Sequence, residues 1–287
     1  MPSLWIAGAR PKTLPAAVAP VLVGTGAAHL DGGLVLWKAL VALGVSLALQ
    51  IGVNYANDYS DGVKGTDDDR IGPLRLVGSG LVQAKHVKVA ALSFLALGGV
   101  LGFVLAATSS WWLLLVGAAA LAAAWGYTGG KNPYGYRALG EVSVFVFFGL
   151  VAVLGTTFVQ LGTINAASVA GAIGIGALAC NILVANNLRD RAKDELVNKR
   201  TLAVVLGDAN SRRLFVALIV VAFGCLLALV PVTPWALVGF AAAPFAWRST
   251  RAVAGGAEGE ALIAVLGDTG RAELVYALGL TVGLLLA

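Results

Sequence analysis

The chain has 287 residues, of which 59% are hydrophobic and 12% charged, with 20 Lys and Arg against 15 Asp and Glu and a formal net charge of +5. Soluble domains carry roughly 25% charged and 45–50% apolar residues, so a composition with a mean hydropathy of +0.86 excludes an ordinary soluble enzyme and a disordered chain. The net positive charge does not point to nucleic acid, because the basic residues lie in connections between hydrophobic stretches, where membrane orientation accounts for them.

In chain order the apolar stretches are 14–30, 39–55, 89–108, 111–126, 142–161, 167–184, 214–232, 235–247 and 274–287. Most are close to the length that crosses roughly 30 Å of hydrocarbon. They predict an all-α, polytopic membrane bundle of about nine transmembrane helices. The eighth is short and bounded by Pro234 and Pro244, and the ninth holds about a dozen apolar residues. The segment before residue 14 has no apolar core followed by a small-residue cleavage site and is read as mature sequence. Cys180 and Cys225 sit inside apolar stretches with no ligand-spaced Cys or His, which predicts small core residues rather than a disulfide or a zinc site. His29 and His86 show no partner pattern and are given no role.

Lys and Arg concentrate on the cytoplasmic side of membrane proteins. The N-terminus and the even-numbered connections together hold 19 of the 20 basic residues, with Lys38 the exception. This predicts a multi-pass protein of the cell membrane with its N-terminus and the second, fourth and sixth connections in the cytoplasm and its C-terminus outside. Of the 15 acidic residues, 14 share the basic side, with Asp31 the exception. Acidic residues do not set topology, so their clustering needs another cause.

A weak repeat of about 130 residues supplies one. Asn57-Asp58-Tyr59-Ser60-Asp61 closes the second stretch, Asn187-Leu188-Arg189-Asp190 with Asp194 closes the sixth, and each precedes a charged segment, 62–88 and 191–213. The chain therefore reads as one membrane domain, 1–287, with two four-helix halves, 14–126 and 142–247, and a last helix, 274–287. Asn54, Asp58 and Asp61 share a helix face by spacing, and Asn187, Asp190 and Asp194 repeat the arrangement. Carboxylates and carboxamides are hard donors, so with no His or Cys nearby the expected cation is Mg2+. Such sites keep positions open for substrate phosphates. Cations suited to phosphate lie alongside: Lys64, Arg70, Arg75, Lys131, Arg189, Arg191 and Lys193. Lys131 and Arg75 stand in glycine-rich segments that let backbone approach a ligand. Tyr127, Tyr134 and Tyr136 flank Lys131 and offer either interfacial aromatics or a pocket for a phenolic substrate. The acidic motifs are expected on an open site rather than in a packed core.

These residues resemble the UbiA superfamily of intramembrane aromatic prenyltransferases over nearly the whole chain. The family's Asn-Asp-x-x-Asp signature corresponds to Asn57, Asp58 and Asp61, and its Asp-x-x-x-Asp signature to Asp190 and Asp194. The likeness is greatest to the branch that prenylates 1,4-dihydroxy-2-naphthoate, through residues 10–14, 57–67, 70–73, 132–136 and 186–190. The 4-hydroxybenzoate branch fits less well, since its third Asp is replaced by Gly65 and its Tyr-Pro-x-x-Lys-Arg motif survives only as Tyr127-Thr128-Gly129-Gly130-Lys131-Asn132.

The resemblance implies Mg2+-dependent transfer from a polyprenyl diphosphate to 1,4-dihydroxy-2-naphthoate, with decarboxylation to demethylmenaquinol in menaquinone synthesis. It assigns Asn57, Asp58, Asp61, Asp190 and Asp194 to metal, with Asp67 a further candidate. It assigns Asn57, Lys64, Arg70, Arg75, Lys131, Arg189 and Lys193 to diphosphate, and Tyr127, Tyr134 and Asn187 to the aromatic ring. Asp58, Asp61, Asp190, Asp194 and Lys131 form the expected catalytic set. The alternatives are another aromatic acceptor, 4-hydroxybenzoate or homogentisate, a cation-coupled transporter, and a phosphatidyl-group transferase. Transporter sites usually lie near the bilayer midplane on broken helices, and the phosphatidyl-transferase Asp-Gly-x-x-Ala-Arg run is missing after Asp61-Gly62. Oligomeric state and prenyl chain length are not encoded in these motifs.

Overall fold

The computed structural model describes residues 2–65, 74–130 and 132–287, and their regular structure is helical, with no strand among them. The helices are α1 (Pro2–Ala9), α2 (Pro15–Leu30), α3 (Leu36–Lys64), α4 (Ala84–Thr108), α5 (Leu113–Gly126), α6 (Gly140–Val144), α7 (Ala152–Leu161), α8 (Ala166–Leu196), α9 (Leu202–Ala228), α10 (Ala243–Ala254) and α11 (Ala261–Leu285). A π-helical segment, Phe145–Val151, joins α6 to α7 into one span, and a 3-10 segment, Pro234–Ala242, leads into α10. Among the described residues five helices are long and apolar enough to cross a membrane, and six if the bent pair formed by α2 and the segment before it counts as one. That pair turns by 48° around Pro11 and Pro15, where proline cannot donate to a continuous helical ladder.

Several helices outrun their apolar stretches. α3 continues through the first acidic motif to Lys64 and ends at Gly65, whose φ of 72° is the left-handed cap that glycine adopts without strain. α8 continues through the second motif to Leu196, and α9 already begins at Leu202. The long charged connection expected over 191–213 therefore contracts to 197–201. Charged turns beyond the apolar window are good helix when side chains pair locally, as Arg212 does with Asp208 at 2.6 Å. α11 likewise begins at Ala261, well before the apolar stretch at 274, and carries Asp268, Arg271 and Glu273 in its first half.

α8 is the central element. Its apolar window is 72% buried inside the protein, against 28% or less for the other four long apolar helices. Small residues let neighbours approach it, as expected where lipid supplies no hydrophobic drive between helices. At Gly149, in the π segment, a Cβ would lie 2.6 Å from Gly176 Cα and 2.7 Å from the Ala172 carbonyl oxygen of α8. The two exceptions to the charge asymmetry are also used at helix ends. Lys38 donates to the carbonyls of Thr108 at 3.1 Å and Val159 at 2.7 Å, which cap α4 and α7. Asp31 accepts from Asn165 at 2.7 Å. Both cysteines are free thiols.

Candidate active site

The first motif occupies the last two turns of α3, and its carboxylates have different partners. Asp58 is fully buried, and its two oxygens accept the backbone N–H groups of Leu76 at 2.8 Å and Val77 at 3.0 Å. Asp61, only 3% exposed, accepts from the Tyr136 hydroxyl at 2.8 Å. Asn57 Oδ1 accepts from the Thr128 hydroxyl at 2.8 Å. Asn54, on the Asp58 face, donates instead to the Ala9 carbonyl at 2.9 Å and to Thr13 at 3.0 Å. Spacing on one face does not predict shared partners, because each residue meets a different neighbouring segment.

The second motif sits in the last three turns of α8. Arg189 grips Asp190 with two bonds of 2.7 Å, one from Nε and one from a terminal nitrogen, and also reaches Asn186 at 2.8 Å. Asp194 is buried, with one oxygen 3.6 Å from Lys199 Nζ. The Lys193 ammonium is enclosed and makes no hydrogen bond among the described residues. Asp58, Asp61 and Asp194 are all buried, which corrects the expectation of an open setting. Helix ends packed beneath neighbouring loops are shielded even where the sequence is charged.

The two motifs meet through Tyr136. Its hydroxyl holds Asp61, and the ammonium groups of Lys64 and Lys199 both lie over its ring, 5.1 and 5.2 Å from the centre, a spacing suited to cation–π attraction. Lys64 also donates to the Thr128 carbonyl at 2.6 Å. The connection carrying Tyr136 is itself fastened to the one after α8, with Ala138 N–H donating to the Arg200 carbonyl at 2.8 Å. Lys199 and Thr128 were not among the expected site residues, and Tyr136 entered only as one of the three tyrosines flanking Lys131, with no assigned role. The signal available for Tyr136 was its place in a three-tyrosine segment, and spacing alone did not separate it from Tyr127 and Tyr134.

Tyr127 and Tyr134 pack edge to face with ring centres 5.5 Å apart. The Tyr134 hydroxyl is occupied by the Ala123 carbonyl and Ser143, each at 2.8 Å, so only its ring is left to meet another group. Burial raises its phenol above the ordinary range, opposed by the Ser143 bond. Tyr127 is pushed well above its ordinary value by burial, then by the negative charges of Glu141, Asp61 and Asp194. Asn187 is buried and donates to Glu141 at 2.9 Å. Arg75 is buried beside the Asp58 clamp. Asp67, Arg70 and Lys131 lie outside the described residues.

This arrangement defines a class: a membrane-embedded helical enzyme with two acidic helix ends linked through Tyr136 and Lys199, and cations beside them. The chain belongs to the UbiA prenyltransferase family, which it matches over residues 17–260. It is 54% identical over 274 residues to the 1,4-dihydroxy-2-naphthoate octaprenyltransferase of Mycobacterium tuberculosis, covering 96% of this chain and 94% of that protein. It is 40% identical over 229 residues to the Escherichia coli protein of the same name, covering 77% and 74%. Among solved structures, the apo UbiA homologue of Aeropyrum pernix K1 superposes with a TM-score of 0.72 at 16% identity, over 93% of this chain and 97% of that one. The Archaeoglobus fulgidus homologue bound to GPP and Mg2+ gives 0.67 at 14% identity, over 97% and 99%. At these identities the structural likeness shows the fold alone. The chain is thus an integral membrane prenyltransferase.

Proposed function

We propose that the protein transfers a polyprenyl group from a polyprenyl diphosphate to 1,4-dihydroxy-2-naphthoate, releasing carbon dioxide and diphosphate and leaving demethylmenaquinol. The observation that carries this reading is the coupling of the two acidic helix ends through Tyr136 and Lys199. The acceptor follows the relatives that are 54% and 40% identical. The N-terminus and the connections bearing the site face the cytoplasm in this reading, and the whole chain acts as one membrane domain.

Asn57, Asp61, Asp190 and Asp194 would hold Mg2+, with Asp67 a further candidate. Among the described residues no three carboxylate, imidazole or thiol groups form a ready cluster. The donor set itself fits Mg2+, which takes hard carboxylate and carboxamide oxygens and leaves positions for substrate phosphates and water. When bound, it neutralises charge on the departing diphosphate. Lys193, whose ammonium has no hydrogen-bond partner among the described residues, is the first candidate to meet a phosphate oxygen, and Arg75, Lys64, Lys131 and Arg70 are further candidates. Preorganised cations lower the barrier because charge builds on the leaving group. Asp58 contributes by holding the backbone after Arg75, and Arg189 by fixing the Asp190 carboxylate. The apolar helices keep water from the allylic cation. Tyr127, the ring of Tyr134 and Asn187 line the acceptor side.

The test is an assay of detergent-purified protein with 1,4-dihydroxy-2-naphthoate and an allylic diphosphate, with Mg2+ or chelator, read by mass spectrometry. The expected result is a prenylated product lacking carbon dioxide, formed only with Mg2+. Prenylation of 4-hydroxybenzoate or homogentisate in its place would reassign the acceptor, and no product from folded protein with any of the three would overturn the proposal.

A further inference from the structure

Two buried glutamates have no place in that chemistry, Glu273 on α11 and Glu141, and of these Glu141 is the one bonded to a residue of the expected acceptor site, Asn187. Glu141 begins the span Gly140–Leu161 and is 7% exposed. Its Oε1 accepts from Asn187 at 2.9 Å, while its Oε2 is enclosed and has no hydrogen-bond partner among the described residues. Among the described residues no Lys or Arg forms an ion pair with it. A carboxylate buried at the end of a membrane helix without a cation is costly and marks a function, and an unmade bond on a buried carboxylate oxygen asks for a donor.

The surroundings say where that donor comes from. Asn187, which orients Oε1, is three residues before Asp190 on α8 and so lies one turn from the second motif. The Tyr127 ring lies over the start of the same span, its hydroxyl 3.2 Å from where a Cβ on Gly140 would stand. Cys180 donates its thiol to the Glu141 backbone carbonyl at 3.1 Å, which ties this end of the span to α8. Of the groups the proposed reaction brings in, a diphosphate is anionic and repelled, and a prenyl chain has no donor. A phenolic hydroxyl on the acceptor ring is the donor that remains.

We propose that Glu141 receives the ring hydroxyl adjacent to the reacting carbon and takes its proton during transfer. This rests on the aromatic-acceptor reading above. As the ring carbon bonds to the allylic carbon and the carbon–oxygen bond to diphosphate breaks, the hydroxyl proton passes to Oε2 and the oxygen becomes a ketone. Loss of carbon dioxide from that same carbon returns its electron pair to the ring oxygen. The proton goes back from Glu141 to that oxygen, so the aromatic diol is restored with no net proton consumed.

The experiment follows the fate of a labelled allylic diphosphate, separating prenylated naphthol from the prenyl alcohol formed when water captures the cation. Glu141→Gln keeps the volume and an oxygen for Asn187 but accepts no proton. It is expected to lower transfer by roughly 100-fold, the scale of a positioned base, while diphosphate release without acceptor stays at the wild-type rate and prenyl alcohol rises. With the ring hydroxyl blocked as a methyl ether, wild type and Glu141→Gln are expected to become equal. If Glu141→Gln does not fold, Glu141→Asp is read in the same way, with lower transfer and more prenyl alcohol. Wild-type transfer in Glu141→Gln, or an equal fall in transfer and acceptor-free diphosphate release, would overturn the inference. Absence of any decarboxylated product from wild type would instead count against the acceptor assignment itself.

Discussion

The Tyr136 hydroxyl donates to Asp61 across 2.8 Å although the two residues are 75 positions apart. Through this bond the connection after α5 sets the orientation of a carboxylate on α3, and the cations of Lys64 and Lys199 both lie over the same ring. Tyr136→Phe keeps the ring and both cation contacts and removes only the donor. A hydrogen bond to a charged group contributes about 1.5–3 kcal/mol, so turnover is expected to fall roughly ten- to a hundredfold. A Mg2+ titration of activity should show a higher half-saturating concentration, and an unchanged titration would separate Tyr136 from metal binding.

Asp58→Asn and Asp61→Asn should fail in opposite ways. At Asp58 an amide nitrogen would face one of two buried backbone N–H donors, costing about 1–3 kcal/mol of stability. At Asp61 an amide oxygen still accepts from Tyr136. The expected pattern is a lowered unfolding temperature for Asp58→Asn and a collapse of turnover at near-normal unfolding temperature for Asp61→Asn. Thermal unfolding in detergent, set beside the prenylation assay, reads both.

Arg189→Lys tests the fork on Asp190. The guanidinium makes two parallel bonds to one carboxylate, which a lysine ammonium cannot reproduce. Turnover should fall about tenfold or more with little change in the apparent affinity for the acceptor. A variant of wild-type activity would remove Arg189 from the set that orients the second motif.

The phenol of Tyr127 is raised by burial and by Glu141 beside it. The sign follows from linkage: the folded protein holds this proton more tightly than the unfolded chain, whose tyrosine ionises near pH 10. The stabilisation is complete below that value and is lost as pH rises above it. Tyr127→Phe removes the effect, so its unfolding temperature should decline less than that of wild type between about pH 9 and 11. Parallel declines would show that Tyr127 does not couple folding to alkaline pH.

Much of this protein is legible one segment at a time. Hydrophobic excess in stretches near 20 residues requires a helical membrane protein, because a backbone in lipid must satisfy its own hydrogen bonds. The acidic motifs mark the ends of two such helices, since carboxylates at regular helical spacing are unexpected there without a ligand. Helix length was less legible, as α8 and α11 show, because paired charges extend a helix past its apolar window.

What tertiary structure alone decided is how neighbouring residues of like chemistry divide their work. Asp58 and Asp61 are three residues apart, yet one closes on the backbone at Leu76 and Val77 and the other on Tyr136. Tyr134 turns its hydroxyl to α5, whereas Tyr136 reaches the first motif. Glu141 carried no motif at all, and only its enclosed oxygen beside Asn187, unpaired among the described residues, brings it to notice. Periodicity and composition are local, so they fix where helices run; hydrogen-bond partners come from segments tens of residues away and are chosen only when the helices pack.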